Sequence, residues 1–268
     1  MDEQKKIPSG IVVTHEVWQA TQPKSSSSAP DSAVRSAQAF AEKAAASVRS
    51  MNEALHRGQK KAPPVVFTPE MRGQVAAWRM PQLIAIGAST GGTETLAEIL
   101  HHLEPPMPPI AIVQHIPQLF SRLFAERLNR ECRLTVKEAA DGDVLQRDHV
   151  YIAPGGKHMG LKRAGGMLVL ECQAGPRINS VCPSVDVLFQ TAAEELGSSV
   201  LGVILTGIGK DGADGLLSLR KTGAHTLGQD EASSIVYGMP KAAYDIGAVE
   251  VQLNLKDMAE AIKMAAQK

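Results

Sequence analysis

LIAIGASTGG, Leu83–Gly92, joins an apolar run to a glycine-rich turn, and an amphipathic stretch, Thr93 to His101, follows it. Leu83 to Ile86 has the length and composition of a buried strand, and the run stops at Gly87. Gly91 and Gly92 then lead into helical spacing. The pattern is strand, tight turn, helix N-terminus. It puts Ser89 and Thr90 where backbone N–H groups lack an internal partner and attract negative charge. Two chemistries fit such a turn. It can cradle a phosphate, or it can present Ser89 as a nucleophile whose oxyanion those N–H groups would hold.

Downstream, apolar runs and amphipathic stretches keep alternating. Ile110–Val113, Leu134–Ala139, His149–Ala153, Ala224–Gly228 and Ala248–Leu253 read as strands, and VLGVIL at Val200–Leu205 as a central strand buried on both faces. Helical spacing covers Gln118–Asn129, Ser184–Leu196, Gly212–Arg220, a short piece near Pro240 and the C-terminal stretch from Lys256. Ala164-Gly165-Gly166 sits between two short segments and marks a β-hairpin within Gly160–Leu170. This alternation predicts an α/β fold, a doubly wound and mostly parallel sheet between two helix layers.

Residues 1–81 differ in texture. Thr21–Ser32, with SSSSAPDS inside it, is polar and reads as linker. Apolar residues then recur at helical spacing from Val34 to Leu55, which predicts one amphipathic helix over about 33–57 in an otherwise polar extension. The expected division is an extension over 1–81 and a catalytic domain over 82–268. Lysine plus arginine equals aspartate plus glutamate, 28 against 28, so charge gives no case for nucleic acid. Three cysteines without C-x-x-C spacing suit a reducing compartment better than a disulfide framework or a zinc site. No signal-peptide core or run of about eighteen apolar residues is present, so a cytoplasmic protein without membrane insertion is expected.

In open α/β sheets, ligands sit at the carboxyl ends of strands near a switch point in strand order. Ser89 follows the first strand, Gln114-His115 the second, and Thr206-Gly207-Ile208-Gly209-Lys210-Asp211-Gly212 the central one. A serine, a histidine and an aspartate are the parts of a hydrolytic triad: Ser89 as nucleophile, His115 as general base and acid, Asp211 as orienter of the imidazole. Each has a plainer alternative: Ser89 as helix cap, His115 as an ordinary loop histidine, Asp211 bonded to its own turn. A dinucleotide site fits less well. GASTGG has serine where the second fingerprint glycine belongs, and no acidic residue closes the second strand. His101 and His102 read as helix-end residues, His158 as a loop residue that either approaches the site or is solvated, the cysteines as buried small hydrophobes, and Asp186 as an ordinary first-turn acid.

Ordered stretches across the chain from about Gln82 to Lys268 add a resemblance. IGASTGG, VQHIP, FAERLN, VKEAADGD, VYIAPGGKHM, GPRIN, PSVDVLF, GVILTGIGKDGADG and EASSIVYGMPKAA resemble the catalytic domain of the chemotaxis protein-glutamate methylesterase family. The resemblance implies a triad of Ser89, His115 and Asp211, with oxyanion donors around Thr90 and the backbone of Ile208. It implies hydrolysis of glutamate γ-methyl esters on the cytoplasmic helices of chemoreceptors, in some members also deamidation of receptor glutamines, with no metal or organic cofactor.

The chain departs from the family pattern in places. Ile116 and Ile208 stand where methionine is common, Lys210 where a small residue is common, and Cys182 where arginine usually precedes PSVDVLF. Family members typically carry an N-terminal phosphoacceptor receiver domain, and residues 1–81 are too short and too polar for one. The expectation is therefore a constitutively accessible site, or control by a regulatory protein docking on the helix near Ala33–Arg57. The competing expectation is a non-catalytic scaffold that recruits partners through that helix.

Overall fold

Every residue of Leu83–Ala88, strand β1, is buried, as a strand covered on both faces must be. A computed structural model describes residues 62–267; the helix expected over about 33–57 lies outside the described residues. The remaining strands are β2 (Ile110–Gln114), β3 (Thr135–Glu138), β4 (His149–Ile152), β5 (His158–Ala164), β6 (Met167–Gln173), β7 (Val200–Ile204), β8 (His225–Gln229) and β9 (Val251–Leu253). The helices are α1 (Pro69–Ala77), α2 (Gly92–His101), α3 (Gln118–Glu131), α4 (Val185–Leu196), α5 (Ala213–Lys221), α6 (Met239–Asp245) and α7 (Leu255–Ala266).

Seven strands form one sheet in the order β3-β4-β2-β1-β7-β8-β9, and every recorded pairing in it is parallel. From β1 the chain builds β2, then the edge strand β3, then β4 between them, and from β7 it builds β8 and β9 on the other side, so the direction of growth reverses between these two central strands. Side chains of a strand alternate between faces. Ile84, Ile86, Ile110 and Ile112 pack with residues of α1, α2, α3 and α7 on one face. Leu83, Ala85, Ala111 and Val113 pack with α4, α5, α6 and the hairpin on the other. The expected doubly wound, three-layer α/β/α architecture is the one observed. The β5–β6 hairpin, antiparallel from His158↔Gln173 to Ala164↔Met167, is longer than its sequence signal indicated.

The packed unit begins further upstream than the division expected between 81 and 82. Val65 is tied at both backbone groups: its N–H donates to Asp230 Oδ2 at 2.8 Å, and its carbonyl accepts from Asn254 Nδ2 at 2.7 Å. Thr68 caps α1 by accepting the Met71 N–H, and Pro69 starts the helix. Phe67, Val75 and Trp78 are buried in the core, Arg72 pairs with Glu260 of α7, and the Trp78 ring stacks on His225 of β8 at 4.4 Å. The sequence reading assigned this segment to the polar extension, because three apolar anchors among polar residues make no periodic pattern.

This anchoring is testable. Trp78→Ala removes a buried aromatic from a seam between α1 and the sheet, and its unfolding free energy by urea denaturation is expected to fall by about 3 kcal/mol. A change below about 0.5 kcal/mol, the size of a surface effect, would mean that the segment before β1 is not part of the cooperative unit.

Candidate active site

Parallel pairing in register ends neighbouring strands at one level. Ala88 lies opposite Gln114, and Gly87 opposite Ile204, so the loops after β1, β2 and β7 leave the sheet side by side. Those loops carry Ser89, His115 and Asp211. Ser89 is stitched to its neighbours: its N–H donates to the Thr206 carbonyl at 2.9 Å, and its carbonyl accepts from Gly92 N–H and from Gln114 Nε2, each at 2.8 Å. The Thr206 hydroxyl donates to the Thr90 carbonyl at 3.0 Å. Gly207 passes so close to the serine that a Cβ there would sit 2.7 Å from Ser89 Cβ and 2.3 Å from Met239 Sδ; only glycine lets this loop approach the turn.

His115 and Asp211 are joined by a 2.8 Å hydrogen bond between Nε2 and Oδ2. The imidazole side chain is 11% exposed and the carboxylate 3%, so the pair runs from the edge of solvent inward. Asp211 receives three further donors: the Ser184 hydroxyl at 2.6 Å, the Val185 N–H at 2.6 Å and Asn179 Nδ2 at 3.1 Å. Burial is the largest single influence on its carboxyl and pushes it up. The hydrogen bonds from His115, Ser184, Val185 and Asn179 together outweigh burial and hold it at about 2. An ionised carboxylate only accepts, so the His115 Nε2 carries the proton and Nδ1 is left as the basic nitrogen. Among the described residues Nδ1 makes no hydrogen bond and neither does the Ser89 hydroxyl, so serine and imidazole are not bonded to each other in this structure. The Thr90 and Ile208 N–H groups likewise have no recorded hydrogen-bond acceptor among the described residues. The strand register and the bonds between the loops place Ser89, Thr90, His115, Ile208 and Asp211 on the adjacent loops that follow β1, β2 and β7.

The sequence reading missed the residues that hold Asp211. Ser184 occupies the N-cap position of α4 but makes no cap bond, because its hydroxyl is turned to the carboxylate. Asn179 was quoted only within GPRIN; its backbone is left-handed at φ 50°, which Asn tolerates, and its amide group donates to both Asp211 and Asp186. Asp186 is not an ordinary first-turn acid. It is 4% exposed and accepts the Gly215 N–H at 2.7 Å, tying α4 to α5. Burial first, and the charge of Asp211 as well, raise its carboxyl despite that bond. His158 approaches the site at one remove, its Nδ1 accepting the Ser184 N–H and its Nε2 donating to the Pro176 carbonyl. His102 bonds the Glu98 carbonyl at a helix end, as read. Cys132 and Cys172 are packed with apolar neighbours, and burial pushes their thiols up to about 11 and about 12. Among the described residues no three His, Cys, Asp or Glu side chains group as metal ligands would, and no helix is long and apolar enough to cross a membrane.

The family model described as CheB methylesterase matches residues 84–262. The chain belongs to the CheB methylesterase family. It is 43% identical over 235 residues to a protein-glutamate methylesterase/protein-glutamine glutaminase of Oleidesulfovibrio alaskensis, covering 88% of this chain and 66% of that one. A protein of the same description from Nitrosomonas europaea is 51% identical over 181 residues, which are 68% of this chain and 51% of the relative. The crystal structure of the Thermotoga maritima CheB methylesterase catalytic domain superposes with a TM-score of 0.66 at 36% identity, covering 69% of this chain and 98% of that domain. The chain thus spans between about half and two-thirds of the length of these curated family members.

The Asp211 carboxyl gives a pH signature. Its folded value of about 2 lies below the ordinary 3.8, so its ionised form adds stability on the order of 2 kcal/mol above about pH 4. That contribution is lost as pH falls through about 2. The gap in unfolding free energy between the wild type and Asp211→Asn is therefore expected to narrow between about pH 4 and pH 2 in denaturant titrations. A gap that stays constant across this window would show that the carboxylate is not selectively stabilised in its ionised form.

Proposed function

We propose that the chain is a serine-dependent protein-glutamate methylesterase that hydrolyses glutamate γ-methyl esters on the cytoplasmic helices of chemoreceptors. The observation that carries this reading is the 2.8 Å bond from His115 to a buried, ionised Asp211, made beside Ser89 at the ends of adjacent strands. In the proposed reaction, Ser89 Oγ attacks the ester carbonyl while His115 Nδ1 takes its proton. The carbonyl oxygen becomes an oxyanion facing the N–H groups of Thr90 and Ile208. Collapse breaks the bond to the methoxy oxygen, which receives the proton from His115 and leaves as methanol. Water then attacks the acyl-serine, His115 takes its proton, and the glutamate carboxylate departs as Ser89 regains its hydrogen. Ammonia in place of methanol gives the glutaminase reaction named for the relatives.

Two surface features support a helical protein substrate. Ile208, in the loop that leads to Asp211, and Leu119, at the start of α3, are 55% and 69% exposed. They offer apolar contact on the segments that follow β7 and β2, suited to one face of an amphipathic helix. The proposal includes a cytoplasmic setting and a regulatory protein acting through the extension over 1–81, whose expected helix lies outside the described residues.

Methanol release from a methylated receptor fragment tests the assignment. Ser89→Ala and His115→Ala are each expected to lower kcat by about 1,000-fold or more. Activity retained in Ser89→Ala contradicts the nucleophile. A wild-type chain that binds the receptor and releases no methanol would instead be the scaffold.

A further inference from the structure

Gln114 is the last residue of β2, directly before the histidine, and it is 3% exposed. Its Nε2 donates to two backbone carbonyls, Ser89 at 2.8 Å and His115 at 3.1 Å. One side-chain NH2 group thus spans the two residues between which the proposed reaction moves a proton. The arrangement is costly, because Gln114 Oε1 is buried without a hydrogen-bond partner. Space is made for it: a Cβ on Gly92, the first residue of α2, would lie 2.1 Å from that oxygen.

The local fold has other supports in the same place. The ladder between β1 and β2 continues past Gln114 through His115 N–H to the Ala88 carbonyl at 3.1 Å, and the Ser89 carbonyl already accepts the Gly92 N–H. An apolar side chain of similar length would fill the space and remove the unpartnered oxygen. An amide left half-satisfied here is explained by what its NH2 group holds together.

We propose that Gln114 is a positioning residue that sets the separation and orientation of the Ser89 turn relative to the His115 loop. Without it, the strand ends remain paired, but serine hydroxyl and imidazole reach hydrogen-bonding geometry less often. Displacements of about 1 Å between reacting groups cost on the order of 100-fold in rate. The inference rests on the catalytic reading above.

The test compares Gln114→Leu, Gln114→Met and Gln114→Glu with the wild type in kcat and KM for methanol release, together with thermal unfolding midpoints. The first two remove both donors at similar size. The third keeps the shape, but buried against two carbonyls its carboxyl takes up a proton and has one hydrogen to give, which cannot span both carbonyls. In each variant that retains the wild-type fold, kcat is expected to fall about 10- to 100-fold with KM within about twofold. Glutamate retaining near wild-type kcat would overturn the inference, and so would folded Leu or Met variants within about twofold of wild type. Loss of activity only in proportion to loss of folded protein would also overturn it, since it would make the role structural. A wild type that releases no methanol sinks the catalytic reading and the inference together; an active wild type matched by the Gln114 variants sinks the inference alone.

Discussion

Asp211 is a carboxylate with almost no access to water, and the site depends on keeping it ionised. Burying an unpaired charge is prohibitively costly, so such a group must be met by donors or it takes up a proton. Four donors meet this one: the His115 imidazole, the Ser184 hydroxyl, the Val185 N–H and the Asn179 amide. They come from the end of β2, the loop after the hairpin and the first turn of α4. Satisfying one carboxylate therefore fixes the loop after β7 that carries it against the end of β2 and the continuous stretch 179–185, three segments far apart in sequence. Ser184 shows the priority, since it occupies a capping position yet turns its hydroxyl to Asp211, and the carboxylate in turn accepts the first N–H of the helix.

The sheet does the remaining placement. A parallel sheet with β1 and β7 at its centre gives three adjacent strands, β2, β1 and β7, whose carboxyl ends stop together and send their loops out side by side. Close approach comes next: Gly207 lets the β7 loop press on the serine, and Gln114 bridges the serine and histidine backbones. Solvent reaches the cluster from the serine side, while the carboxylate side is closed by α4 and α5. The result is a half-buried serine on the side open to solvent and a charge at depth, with the imidazole bonded to that charge.

Much of this was readable before any coordinates. Strand–helix alternation and the fully apolar runs led to the doubly wound sheet, because burial on both faces leaves an unbroken apolar signature. Ser89, His115 and Asp211 were legible because each follows a strand, and strand ends are local features of sequence. The support around Asp211 was not. Asn179 and Ser184 lie in a loop 32 and 27 residues from Asp211, and nothing local distinguishes an Asn or Ser that bonds a distant carboxylate from one that caps its own helix. Asp186 was misread for the same reason, since a first-turn acid looks alike whether it faces water or the next helix. Residues 65–78 were assigned to the extension because three apolar anchors among polar neighbours do not form a periodic signal.

If Asp211 holds the imidazole as described, His115 has one dominant neutral tautomer. Nitrogen-15 NMR of the histidine side chains, with His115 assigned by substitution, reads this directly. The expected result near neutral pH is a protonated Nε2 and a bare Nδ1, with that preference lost in Asp211→Ala. A proton found on Nδ1 in the wild type, or a tautomer balance unchanged in Asp211→Ala, would contradict the arrangement on which the proposed chemistry rests.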